Sequence, residues 1–584
     1  MNPRTATTPP APPADRRWHG RVSRAAAAVF PAALLLFAGF FFGGHLGWWS
    51  DDYWHNQRDP VTDSIRALVM DRGFFLRPLF YIVVPAVTTL LWHHDWAAHA
   101  LQLSVHATVV LLLWRFLLSL GTSRAAATAA ALLFMVYPVQ FEALFWVAAL
   151  PTVIAAAIML AVLLLAVRIA SGSVGPAWSV ASALLTFVVC CLNEQPAAAV
   201  AAMPVLAWAL VPPGRGWSLD RAFRALVPTA ACSAAIILYV FLRVSDKNAP
   251  HGARGSAESF IRPGALPERT MSFLNVLWRR LVMKNWSRGA LSEGWDQVVA
   301  AGPWAWLALA FTLACAVSWA VHRRPRATEP APPVRAGRLA MVGLALFITG
   351  WLPILIMASY EPDSRVRYWP DIGLALLLAV LFDKLAARIT RPGVLLAGRV
   401  TLAAWLIASA LMLIGAQSGF RARWTMDRSE SSELRRLIPD PVPYTFFIPL
   451  DIRARALETG APVLDTHFRS VWEFPWTTPN WIQRVYRRDD LRCGYWRHWT
   501  PDTPVRGADE TGVHYADTLG PRFPELPDGT RLIPWDRAVI FTIGRDRVLR
   551  IATRVELEGP GAPRSIEIPQ ARGLPEHAVR LKGL

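Results

Sequence analysis

The sequence predicts an α-helical polytopic membrane protein, and three observations carry that expectation. Hydrophobic residues make up 54% of the chain and charged ones 17%, a balance that leaves a water-soluble fold too little polar surface to cover its core. The apolar residues are gathered into runs close to the roughly 20 residues a helix needs to cross hydrocarbon. The 27 tryptophans suit a chain with two membrane boundaries, where an indole buries its face and still donates its N–H.

The elements follow in order. Residues 1–24 read as a cytoplasmic basic tail, with Arg4, Arg16, Arg17, Arg21 and Arg24 among prolines and alanines. The apolar stretch after them exceeds a signal-peptide core and has no clear cleavage site, so it reads as an uncleaved first helix. Spans are expected near 25–49, 97–119, 124–138, 149–169, 176–193, 196–211, 225–244, 302–321, 339–358, 369–387 and 395–418, about eleven in all. Each must be helical, because lipid satisfies no backbone polar group. The stretch 77–93, "RPLFYIVVPAVTTLLWH", is short and broken by Pro78 and Pro85, and is expected as a juxtamembrane or re-entrant helix. The transmembrane domain is thus 25–418, with external loops 50–96 and 245–301. Residues 419–584 form a small extracytoplasmic α+β domain, with strand-like stretches at 444–450, 538–544 and 548–557 between Pro and Gly turns.

Orientation follows from the accumulation of arginine and lysine in short cytoplasmic loops. With the N-terminus inside, those loops hold Arg115 and Arg124, then Arg168, then Arg215, Arg221 and Arg224, then Arg323 to Arg338, and last Lys384, Arg388, Arg391 and Arg399. The net charge of +18 is scattered among these loops rather than gathered in one patch, which excludes nucleic acid as the expected partner and favours anionic membrane lipid. Of the five cysteines, four fall in apolar runs and none has a disulfide or zinc spacing.

The external face then carries charge that topology alone does not require. Asp51 and Asp52 follow the first span, in "GHLGWWSDDYWHNQRDP" (44–60), ahead of an amphipathic surface helix expected at 60–76. Neighbouring residues point apart on a helix or strand, so one acid could serve a substrate while the other orients it, holds a metal or raises its pKa. The plain alternative is a helix cap with both acids solvated. In "SYEPDSRVRYWPDIG" (359–373), Arg365 and Arg367 stand beside Tyr368 and Trp369, suited to an anion at headgroup level or to an interfacial girdle paired with Asp363 or Glu361. Glu142 and Glu194 lie at outer helix ends near Pro138 and Pro196, where a carboxylate either faces a polar cavity or snorkels to water. A basic amphipathic helix at 271–286 completes the set. The histidines at 93, 94, 99 and 106 make no metal spacing.

Taken together, "SDDYW" (50–54), "LRPLFY" (76–81), "YPVQFEALFWVAALPTVIAA" (137–156), "NEQPAAAVAAMPVL" (193–206) and "RVRYWPDIGLALLLA" (365–379) resemble the GT-C superfamily of integral-membrane glycosyltransferases. The branch most similar is that of the protein O-mannosyltransferases and the transmembrane TPR-containing O-mannosyltransferases. The resemblance spans residues 25 to 418 and implies a GT-C-like fold, a polyprenyl-phosphate-linked sugar donor, and an acid of the Asp51/Asp52 pair as catalytic base, the first being favoured. It also implies that Arg365, Arg367 and Tyr368 lie near the carrier phosphate; Arg77, Glu142 and Glu194 are further candidates for substrate binding. Tyr137-Pro138 stands where relatives often have His-Pro, Ala149-Leu150 replaces their frequent Gly-Arg, and the TPR tail is absent. Relatives differ in their use of a divalent metal, so the resemblance leaves one possible and requires no cofactor. The acceptor, whether glycan, lipid or protein, is open.

The expected activity is therefore glycosyl transfer from a lipid phosphate at the outer face of a bacterial inner (plasma) membrane, by one inverting displacement. The competing class is non-enzymatic: a lipid-carrier flippase, or a degenerate GT-C scaffold in envelope assembly. A transporter needs polar groups at mid-membrane depth along a path, whereas here the charges gather at the external ends.

Overall fold

The computed structural model describes residues 29–40, 46, 77–91, 94–211, 219–244, 287–322, 333–355, 364–389, 391–450, 478–488, 490–493, 505–515, 532–543, 548–558 and 564–582, with a few single residues between 267 and 275. Asp51 and Asp52, the surface helix expected at 60–76 and most of the one expected at 271–286 lie outside them. The described helices are α1 (Val29–Gly39), α2 (Phe80–Leu90), α3 (Asp95–Ser119), α4 (Arg124–Met135), α5 (Leu150–Ala170), α6 (Ser179–Leu192), α7 (Met203–Leu210), α8 (Leu219–Val244), α9 (Ser287–Ala300), α10 (Pro303–His322), α11 (Pro333–Leu355), α12 (Pro370–Arg388), α13 (Pro392–Leu437) and α14 (Thr478–Tyr486).

Six of them, α3, α5, α8, α10, α11 and α13, are long and apolar enough to cross a bilayer, or seven spans if α4 is joined to Pro138–Phe145, which bends from it by 45°. The chain is an α-helical polytopic membrane protein. Large apolar side chains remain exposed on the outside of the bundle, among them Leu111, Leu184, Ile237, Phe241, Phe311 and Val317, as a lipid-facing surface requires. The 77–93 stretch yields only the 11-residue α2, with Pro85 inside it.

Helices in lipid gain little from hydrophobicity against one another and associate by close packing. Two contacts depend on glycine for this. A Cβ at Gly294 of α9 would lie 1.8 Å from the Leu411 carbonyl oxygen of α13, and one at Gly415 would lie 2.1 Å from that of Ala290. Likewise, a Cβ at Gly373 of α12 would meet the Gly343 oxygen of α11 at 2.6 Å.

One end of the bundle is basic. The Ser123 N–H donates to Asp383 Oδ2 at 3.0 Å, tying the α3–α4 turn to the last turns of α12, and Arg168 and Arg388 close α5 and α12. Arg338 stacks on Trp208 and donates to the Val211 carbonyl at 2.8 Å, capping the end of α7.

At the opposite end α13 does not stop where its apolar run stops. Helicity needs only unbroken backbone bonds, and no proline falls between Pro392 and Pro439, so one 46-residue helix reaches Leu437. The buried pair Arg423 and Asp427 lies along its polar extension. α14 docks on that extension: Trp481 Nε1 donates to Ser431 Oγ at 2.8 Å, and the Tyr486 hydroxyl donates to the Ile438 carbonyl at 2.9 Å. Among the described residues three small sheets follow. In the first, β1 (Phe446–Leu450) is flanked by parallel β2 (Arg492–Cys493) and parallel β6 (Ala538–Ile543), with β7 (Leu549–Ile551) antiparallel to β6. All five residues of β1 are buried, as a strand covered on both faces should be. The others join β3 (Val505–Ala508), β4 (Gly512–Tyr515) and β5 (Leu532–Pro534), and β10 (Ala578–Lys582), β8 (Arg554–Glu558) and β9 (Arg564–Glu567). The stretch expected as one strand at 548–557 divides at Ala552 and Thr553, whose N–H groups turn to Ile540 and His577. The core of this region is continuous with Val87, Leu91, Ala98 and Val147 of the bundle.

Candidate functional site

The site is built around a break. Pro138 has no N–H to continue α4, so the helix ends at Met135, makes a 3-10 turn at Pro138–Gln140, resumes as Phe141–Phe145 and turns again at Val147–Ala149 before α5. Broken backbone at this depth needs partners from neighbouring helices. Gln102 of α3 supplies them, its amide nitrogen donating to the Ala143 and Trp146 carbonyls, each at 2.7 Å.

Against this break lies the short turn Ser364–Arg367 that precedes α12. The Arg365 N–H donates to Glu142 Oε2 at 3.1 Å, and the Arg365 guanidinium stacks 4.3 Å from the centre of the Trp146 ring. Glu142 and Trp146, about one turn apart, thus grip Arg365 by backbone and side chain. Arg365 is partly exposed, and no oxygen among the described residues accepts from its guanidinium.

Arg367 and Tyr368 sit deeper, both 0% exposed. Arg367 Nη2 donates to the Tyr137 hydroxyl at 3.0 Å and lies 3.7 Å from Asp371 Oδ1, while Asp371 Oδ2 accepts from Gln140 Nε2 at 3.2 Å. The Tyr368 hydroxyl is 2.6 Å from His106 Nδ1, and His106 Nε2 is 3.0 Å from the Met135 carbonyl. A carbonyl can only accept, so Nε2 carries the proton and Tyr368 donates to Nδ1.

The third element is Asn193–Gln195, after α6. Asn193 Nδ2 donates to Thr152 Oγ1 at 2.7 Å, and the Gln195 amide donates to the Val366 carbonyl at 2.6 Å and to that of Gly350 at 3.0 Å. Glu194 accepts both a 2.5 Å and a 2.9 Å bond from Arg77, which the Leu79 N–H to Cys191 carbonyl bond, 3.0 Å, holds beside α6. Six of the eight residues singled out from sequence, Arg77, Glu142, Glu194, Arg365, Arg367 and Tyr368, therefore fall in one connected polar region. Asp51 and Asp52 lie outside the described residues. α1 runs toward this end: Phe30 packs on Trp319 near the basic end, while the Ala38 carbonyl accepts from Gln417, one turn before the Phe420 that packs on Phe141 and Phe145.

No family model and no curated protein matches the chain. Among solved structures it is similar to an oligosaccharyltransferase of Archaeoglobus fulgidus, crystallised tethered to an acceptor peptide containing the NVT sequon through a disulfide bond. The TM-score is 0.38 and the identity 12%, over 81% of this chain and 63% of that one. The chain thus spans a little under two thirds of that protein's length. The likeness is remote, and what this chain does has to be read from its own residues.

Sequence reasoning missed Gln102, Gln140, Asn193, Gln195 and Asp371. Four of them stand inside the quoted motifs, and the available signal was an amide or acid within an otherwise apolar stretch, which lipid tolerates only when it is bonded. His106 is a buried structural link. Among the described residues, no group of three or more His, Cys, Asp or Glu side chains could hold a metal ion.

Proposed function

We propose that this chain is a membrane glycosyltransferase that takes a sugar from a polyprenyl-phosphate carrier at the external face and passes it to a hydroxyl of a glycan, lipid or protein. The observation that carries the reading is the setting of Arg365. A partly exposed guanidinium is held at both ends, by Glu142 and by Trp146, with its fork uncommitted among the described residues, as a phosphate-binding arginine requires. Two further observations support it. The arginine-capped helix ends lie at the opposite end of the bundle, and the bias of basic residues to the cytoplasm supports reading this end as the external one. The β-bearing region packs against the same end, and belongs on the external side with it.

In this reading the shorter helices α1, α4, α6, α7 and α12 cross with the six long ones to give eleven spans, and Asp51 and Asp52 serve the same external site as Arg365. Asp51 accepts the proton of the acceptor hydroxyl as that oxygen bonds to the anomeric carbon. The bond from that carbon to the phosphate oxygen breaks, and polyprenyl phosphate leaves with the electron pair. Arg365 neutralises the charge that gathers on the leaving oxygen, while Arg367 and Tyr368 hold its turn from beneath. One displacement inverts the anomeric centre.

The test is release of polyprenyl phosphate from a radiolabelled polyprenyl-phosphate hexose by the purified chain in nanodiscs, with membrane extract as acceptor. Release with label transfer supports the reading. Intact donor across hexose and pentose carriers refutes it.

A further inference from the structure

Gln195 occupies an unusual position for a side chain with no charge. It is 4% exposed, at the apolar-to-polar corner after α6, and its one amide nitrogen serves two carbonyls from two other elements, Val366 at 2.6 Å and Gly350 at 3.0 Å. Both N–H bonds of that amide are thereby used. Its own backbone N–H is fixed by Asn193 Oδ1 at 3.1 Å, Asn193 is fixed by Thr152, and Glu194 between them is gripped by Arg77. Arg77 itself is at φ 42°, in the left-handed region and ahead of Pro78, a backbone conformation that persists only where neighbouring contacts over-determine it. Every residue of the Asn-Glu-Gln corner is therefore tied, and the ties converge on the placement of one amide.

What that amide holds is the turn carrying Arg365. Val366 is the next residue, so the Arg365 peptide is clamped from two sides: Glu142 accepts its N–H, and Gln195 donates to the carbonyl one residue on. A four-residue turn ahead of Pro370 has little internal bonding of its own to fix it. The geometry points to Gln195 as a positioning residue for Arg365, setting the guanidinium against the carrier phosphate without touching substrate. The inference rests on the phosphate role proposed for Arg365.

Gln195→Glu keeps the shape but replaces the two-donor amide with a carboxyl that donates nothing when ionised and at most one hydrogen bond when protonated, so it cannot serve both carbonyls, and Gln195→Met removes both polar atoms at similar volume. Each is made alone and with Arg365→Ala, and each is checked for folding by its thermal transition in detergent. Transfer is measured together with binding of sugar-free polyprenyl phosphate by native mass spectrometry. A displacement near 1 Å can cost about 10²-fold in rate, so both single variants are expected to lose about that factor in kcat/KM and to bind polyprenyl phosphate more weakly. In the Arg365→Ala background neither is expected to cost anything further, because the group they position is gone. Equal losses with and without Arg365 would overturn the inference, as would unchanged transfer in Gln195→Met. Should the wild type bind polyprenyl phosphate yet transfer nothing, the enzymatic reading falls, and the same cycle read in binding alone decides for or against Gln195.

Discussion

Replacing Asp371 with leucine strands the Arg367 guanidinium inside the bundle, where the residue is 0% exposed. Removing one partner of a buried ion pair costs about 3–5 kcal/mol, and the Gln140 amide, which donates to Asp371 at 3.2 Å, loses its acceptor for about 1–3 kcal/mol more. Asp371→Leu should therefore cost about 4–8 kcal/mol. Arg367→Met strands the carboxylate and frees the Tyr137 hydroxyl, 3.0 Å away, for a similar sum. Independent sites would add to about 8–16 kcal/mol, as large as the whole stability of a typical domain. The double variant strands no charge and leaves only the two neutral groups unbonded, at about 2–6 kcal/mol. It should be no less stable than either single variant, with a favourable coupling of about 6–10 kcal/mol, the two stranded-charge penalties that it avoids. Equilibrium unfolding in mixed micelles, titrated with a denaturing detergent and followed by circular dichroism, measures all four proteins. A double variant near the additive sum would refute the pairing of Arg367 with Asp371.

Arg365→Ala should lower kcat/KM for the lipid donor by about 10–150-fold, the range of one charge-assisted hydrogen bond at about 1.5–3 kcal/mol; steady-state transfer reads it, and an unchanged value contradicts the phosphate role. Gly294→Val, whose Cβ would lie 1.8 Å from the Leu411 oxygen, should remove folded protein from the membrane fraction, whereas Gly393→Ala, with nothing within 4 Å, should leave yield unchanged. In the β3–β4 turn, burial works against ionisation of Asp509, but bonds from the Thr511 hydroxyl and N–H and from His514 outweigh it and hold its carboxyl down to about 2. A depressed carboxyl stabilises the fold above its unfolded value, near 3.9, and loses that contribution as pH falls through about 2. Amide exchange at Thr511 and Gly512, corrected for intrinsic rate, should accelerate over that window and be pH-independent in Asp509→Asn; faster exchange on raising the pH would contradict the assignment.

The bundle was legible because lipid demands long apolar runs, and α3, α5, α8, α10, α11 and α13 start within one to six residues of where those runs are expected to start. The end of α13 was not. Arg421 and Arg423 mark where lipid stops, but a change of solvent does not break a helix, and only Pro439 does. The break at 136–149 was half legible: Pro138 announces an interruption and the 45° bend, but the carbonyls of Ala143 and Trp146 are met by Gln102, more than forty residues back in the chain. The site shows the same division. Motif residues could be named one by one, yet the contact of Glu142 with Arg365 joins positions 223 residues apart, and no local pattern encodes it. Depth was equally hidden, since Arg365 and Arg367 alternate in sequence while one reaches the surface and the other is sealed beneath it.

The most direct measurement is sugar transfer from a labelled polyprenyl-phosphate donor by wild type, Asp51→Asn and Asp52→Asn, side by side in nanodiscs. A placed base contributes about 10²–10⁴-fold, so the account predicts transfer by the wild type and a loss of that size in Asp51→Asn with the thermal transition unchanged. Transfer near the wild-type rate in both variants would contradict it.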